Sequence, residues 1–148
     1  MVTSLIGIEI RIYIDMIVVE SKEELKKLIK QRIEVLGPNC DLNDIDVSHI
    51  TDMSGMFWCS TFDGDISKWD VSNVRNMRGM FQYSDFNGNI SKWNTSKVKD
   101  MRGMFYGSMF NGDISKWNTS SVENLRDVST VLHEPPLYGK GSDWYGYR

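Results

Sequence analysis

Few residues in this chain are suited to covalent, redox or metal chemistry. It has two cysteines, Cys40 and Cys59, and two histidines, His49 and His133. Four such residues at unrelated positions match neither a zinc spacing nor a disulfide framework, so both cysteines are expected as reduced thiols and no metal or cofactor is expected. Nor is there a long apolar run. The first twenty residues are rich in Ile and Val, but Glu9, Arg11 and Asp15 interrupt them. A membrane span needs about 18 or more apolar residues and a secretory signal needs a continuous apolar core, so the chain is expected to stay in the cytoplasm, away from membranes. Charge of one sign is also scarce. A net charge of −3 gives no global attraction to nucleic acid or anionic lipid, and direct nucleic-acid binding is not expected. With 148 residues, 41% of them apolar, there is room for one modest core.

What is present is repetition. Asp65-Ile66-Ser67-Lys68-Trp69 leads through Val71, Val74, Met77, Met80 and Phe81 to Phe86-Asn87-Gly88, and the pattern restarts at Asn89 and Asp113. Asp41 to Gly64 fits the same 24-residue frame. Such a period is the signature of a solenoid, in which each coil buries its apolar face against its neighbours. Superposed copies give apolar columns: Leu42, Ile66, Ile90 and Ile114; Ile45, Trp69, Trp93 and Trp117; Ile50, Val74, Val98 and Val122; Met53, Met77, Met101 and Leu125; Phe62, Phe86 and Phe110. The methionines read as core filling, and the tryptophans as a core stack whose alternative is an exposed stacking platform.

Asp52, Asn76 and Asp100 precede Met-x-x-Met-Phe segments, and Asn124 holds the same place in the fourth copy, which predicts an Asx N-cap and one or two helical turns, as at Met101 to Tyr106. Gly64, Gly88 and Gly112 predict a turn that needs a positive φ or a close backbone approach. Asp-Ile-Ser-Lys-Trp is the candidate strand. Upstream, residues 6–19 partly alternate, a strand period. Ser21 with Glu24 predicts a capping box opening an amphipathic helix of Leu25, Leu28, Ile29, Ile33 and Leu36, ended by Gly37-Pro38. This helix is expected to cap the solenoid. The organisation expected is thus residues 1–40 as strand and capping helix, 41–128 as repeats, and 129–148 as an irregular aromatic tail.

Two basic ladders stand out, Lys68, Lys92 and Lys116 in one column and Arg78, Arg102 and Arg126 in another. Stacked like charges repel unless acids lie between them, and the Asp65, Asn89, Asp113 column is the candidate counter-charge. The ladders are either a solvated, salt-bridged face or a stripe for an acidic partner. In the tail, Trp144, Tyr145 and Tyr147 are either a clamp over the last coil or anchors for a partner. No Ser, Cys or His constellation supports catalysis, and no glycine run forms a phosphate loop.

The run Met-Phe-x-x-Ser-x-x-Phe-Asn-Gly-Asp-Ile-Ser-Lys-Trp-Asn-Thr-Ser-x-Val-x-x-Met resembles the BspA-like leucine-rich-repeat family of bacterial surface proteins, also described as mycoplasma lipoprotein-associated repeats. The resemblance covers roughly Asp41 to Asp127. It implies an α/β repeat fold: a short right-handed leucine-rich-repeat-like solenoid of about four 24-residue coils, without catalysis or cofactor, used for protein contacts. The expected function is non-enzymatic binding of a protein partner, acidic or nucleic-acid-binding, through a rigid solenoid face. The alternatives are a small phage-type inhibitor of a host nuclease or CRISPR effector, and a fragment of a surface adhesin.

Overall fold

The computed structural model describes residues 16–125 and 128. Most of the alternating N-terminal segment, Arg126, His133 and the tail with Trp144, Tyr145 and Tyr147 lie outside the described residues. The regular elements are β1 (Ile17–Val18), α1 (Lys22–Leu36) and β2 (Ile45–Asp46). β1 pairs parallel to β2, with Ile17 opposite Ile45 and Val18 opposite Asp46. The chain keeps this course: Glu20 lies 3.9 Å from His49 and Lys22 lies 3.3 Å from Asp52. Residues 17–22 therefore run beside 45–52 as a partial extra layer under the first copy.

Helix α1 follows from its caps and its stripe. The Ser21 hydroxyl accepts from the Glu24 N–H at 3.1 Å, while the Glu24 carboxylate accepts from the Glu20 N–H at 3.0 Å, one residue further back than in a reciprocal capping box. Leu25 and Ile29 are buried, and Leu28 and Ile33 pack against the core. Burying such a side chain contributes about 1.5–3 kcal/mol. Val35 and Leu36 stay exposed, so the apolar stripe ends one turn earlier than its spacing predicts. Gly37, at φ +90°, then ends the helix, its N–H donating to Ile33 O at 2.9 Å. The Arg32 guanidinium ties the helix to Asp44 of the first copy at 2.6 Å.

The 24-residue copies lie directly on one another. Isolated parallel bridges join Asp41 to Asp65, Asp52 to Asn76, Asn76 to Asp100 and Asp100 to Asn124, each pair one period apart. The N–H groups of Met53, Gly55, Phe57 and Cys59 donate to the carbonyls of Asn76, Arg78, Met80 and Gln82 at 2.8–2.9 Å. Those of Met77, Gly79, Phe81 and Tyr83 repeat this onto Asp100, Arg102, Met104 and Tyr106, also at 2.8–2.9 Å. Intervening N–H groups fold back three residues, as Met56 to Met53 O, Trp58 to Gly55 O and Ser60 to Phe57 O.

This overturns the expectation of helical turns. The Met-x-x-Met-Phe segments are overlapping tight turns, because Gly55, Gly79 and Gly103 take φ of +62°, +59° and +60°, which no right-handed helix contains. Four residues on, Cys59, Tyr83 and Gly107 also have positive φ, at 51°, 54° and 65°.

The candidate strand Asp-Ile-Ser-Lys-Trp is likewise a turn. Asp65 Oδ1 accepts from the Ser67 N–H at 2.9 Å, and the Trp69 N–H donates to Ile66 O at 3.1 Å. Such a turn brings Ile66 and Trp69, three apart, both into the core. The same Asx device serves three corners of a copy: Asp65 to Ser67, Asp70 to Ser72, and Asn76 to Arg78. The Asx residues expected as N-caps are thus turn formers.

Inside the stack, Phe57, Phe81 and Phe105 are spaced 5.3 and 5.6 Å apart by ring centroid, and Phe62, Phe86 and Phe110 6.0 and 6.2 Å. Trp69, Trp93 and Trp117 are buried, which removes the stacking-platform alternative. Each indole N–H donates backward to the preceding copy, to Leu42 O at 2.8 Å, Ile66 O at 3.2 Å and Ile90 O at 3.0 Å. Met53, Met77 and Met101 are fully buried, and Leu125 is half-buried beside them. Gly64 is required by close approach: a Cβ there would meet Cys40 O at 1.9 Å and the Phe62 ring at 2.6 Å. Cys40 is a buried free thiol, pushed above its ordinary pKa by burial, and Cys59 is an exposed free thiol.

Candidate partner-binding face

Two rows of side chains leave the stack at different corners. Lys68, Lys92 and Lys116 are exposed at the turns between the inward Ile and Trp residues. Their column begins at Asp44, which is already held by Arg32. The carboxylates of Asp65 and Asp113 feel Lys68 and Lys116, but they are held below the usual carboxylate range first by Ser67 and Ser115. The expected neutralising column therefore serves mainly to build turns.

The second row is Ser54, Arg78 and Arg102. Arg78 is exposed, and Arg102 is half-buried. Arg102 Nε donates to both Asp100 oxygens at 3.0 and 3.1 Å, with Nη2 on Oδ2 as well. Burial works against the Asp100 charge, but the Arg102 guanidinium and N–H and the more distant Arg78 outweigh it and keep the carboxyl below its ordinary range. At Asp52 the same balance is struck by Ser54 and Lys22. Lys22 hydrogen-bonds the Ser54 hydroxyl, so a cation from α1 occupies the place that arginine fills in the next two copies. The basic row in three dimensions is Lys22, Arg78 and Arg102. Lys22 is invisible to the repeat frame, although its place at the start of the capped helix was legible.

Beside this row runs a second feature that column reading missed. Trp58, Tyr83 and Met109 are 59%, 51% and 66% exposed. Tyr83 and Tyr106 meet edge to face with ring centroids 5.5 Å apart. Between the basic and aromatic positions lies a row of glycines, Gly55, Gly79 and Gly103, whose missing Cβ atoms would contact Trp58, Gln82 and Tyr106 respectively. The result is a strip with a side-chain-free floor, cations along one side and Trp58, Gln82 and Tyr106 along the other.

Among the described residues, no group of three or more His, Cys, Asp or Glu is placed to hold a metal ion. No helix among them is long and apolar enough to cross a membrane. What the strip offers is a rigid, hydrogen-bonded surface with apolar area and positive charge side by side.

No curated protein and no solved structure matches the chain. A family model does, over residues 23–133, which takes in α1 from its second residue and all the copies. The chain belongs to the DUF285 family, described as a Mycoplasma protein of unknown function.

Proposed function

We propose that this chain is a non-enzymatic binding module, a short right-handed solenoid of BspA-like coils that holds a protein partner on one rigid face. The observation that carries the reading is the exposed pair Trp58 and Tyr83, borne on turns whose alternate N–H groups are bonded to the next copy. Exposed tryptophan and tyrosine on a preformed surface give large contact area at little ordering cost, which is the chemistry of interface hot spots. The 24-residue bridges and phenylalanine columns support the solenoid assignment. The arginine side of the strip favours an acidic partner, and the lysine corner is a solvated face.

The test is affinity capture from lysate of the source cell, with nuclease, using wild type, Trp58→Ala, Arg78→Glu and Lys92→Glu. One dominant protein retained by wild type and Lys92→Glu but lost by the other two supports the reading. Equal capture by all four, or material that vanishes with nuclease, overturns it.

A further inference from the structure

We infer that the strip beside Arg78 takes an α-helix of its partner, one with carboxylates three or four residues apart on the stripe that faces Lys22, Arg78 and Arg102. The inference rests on the protein-binding reading above and names what that face recognises.

Three observations carry it. The first is charge. Arg78 makes no ion pair among the described residues and reaches Asp100 only through space, while Lys22 and Arg102 each have one acid beside them. In the row, three cations face two acids, Asp52 and Asp100, because Asn76 holds the middle place. An incoming carboxylate finds one unmatched guanidinium flanked by two further cations.

The second is period. Successive copies, joined by parallel bridges between residues one period apart, repeat at about 4.8 Å along the stack. On a helix, residues three or four apart have Cβ atoms about 5–6 Å apart, and the pitch is about 5.4 Å. A strand offers same-face side chains about 6.6 Å apart, which falls out of step over two intervals. A helix lying along the stack keeps one carboxylate per copy.

The third is the aromatic border and its strained backbone. Tyr83 adopts φ 54°, a left-handed conformation costly for a bulky residue, where the next copy has glycine. Its ring lies over Gly107 and against Tyr106, so strain is retained where an exposed ring is presented. Trp58 and Tyr106 border the glycine floor, with Tyr83 against Tyr106, and would receive the apolar stripe of an amphipathic helix.

The test is selection of the full chain against a yeast-displayed library of 18-residue helical peptides randomised on one face, followed by titration of the enriched synthetic peptides. The expected winners carry Asp or Glu at i, i+3 or i+4 and i+7 beside an apolar stripe. They bind at least 10-fold more weakly to Arg78→Glu and Trp58→Ala, and equally to Lys92→Glu. Replacing the central acid by lysine restores binding to Arg78→Glu. No enrichment, winners without spaced acids, or indifference to Arg78→Glu overturns the inference. If selection fails while the lysate partner is still lost with Trp58→Ala, the helix assignment falls and the binding face stands; if both fail, the face falls too. Circular dichroism of each variant is expected to match wild type, since the substituted side chains are exposed.

Discussion

The ring of Tyr83 lies on the backbone of Gly107, so close that a Cβ at residue 107 would sit 2.4 Å from Tyr83 Cδ1. Gly107 also has φ +65°. Both facts make it glycine. Gly107→Ala is expected to cost about 1–3 kcal/mol, more than Gly103→Ala, where φ is +60° and the atom nearest the new Cβ, Tyr106 Cβ, is 3.9 Å away. Urea titration of the two variants checks the order.

The backward indole bonds give a second prediction. Trp93→Phe removes one of the two donors to Ile66 O, leaving the Trp69 N–H, and opens a gap in the core; it is expected to cost about 1–3 kcal/mol. Trp58→Phe, at an exposed position, is expected to stay within about 0.5 kcal/mol of wild type. Equal losses from the two would contradict the placement of the tryptophan column in the core.

Acid sensitivity follows from the Asx turns. Asp46 and Asp70 are held below the ordinary carboxylate range by the hydroxyls and N–H groups of Ser48 and Ser72, and Asp65 by Ser67. A depressed folded pKa means that the unfolded chain binds protons more readily, so this stabilisation is complete above the unfolded value of about 3.9 and is lost as pH falls through the folded values. Asn89 and Asn94 already form the same turns without charge. Replacing Asp65 and Asp70 by Asn is therefore expected to keep the fold at pH 7 and to shrink the drop in melting temperature between pH 5 and pH 2.5.

If the copies are interchangeable coils, duplicating residues 65–88 in frame yields a folded chain, because both faces of the inserted coil match their neighbours. Thermal melting is expected to stay cooperative with a midpoint no lower than wild type. An aggregated or molten product would count against the solenoid assignment.

The sequence made the stack legible and its local geometry much less so. Trp69, Trp93 and Trp117 recur at a fixed period, and a residue that must sit over its counterpart in the previous copy leaves that trace. Met77, Met80 and Phe81 read as a helix because spacings of three and four also arise in consecutive tight turns; Gly79, with its positive φ, was the discriminating residue. Ile66 and Trp69 read as a strand because the Asx turn at Asp65 was not recognised. The aromatic strip escaped notice for the opposite reason. Its columns change from copy to copy, Trp58 to Gln82 to Tyr106 and Cys59 to Tyr83 to Gly107, so a search for repeated residues passes over them. Interior columns are constrained alike in every copy, whereas a surface that contacts something else need not be.

The most direct test of the account places a photo-crosslinking amino acid at position 58, 82, 92 or 116 of the full chain, in lysate of the source cell treated with nuclease. One dominant protein adduct is expected from positions 58 and 82 and none from 92 or 116. Adducts from the lysine corner alone, or none at 58 and 82, would contradict it.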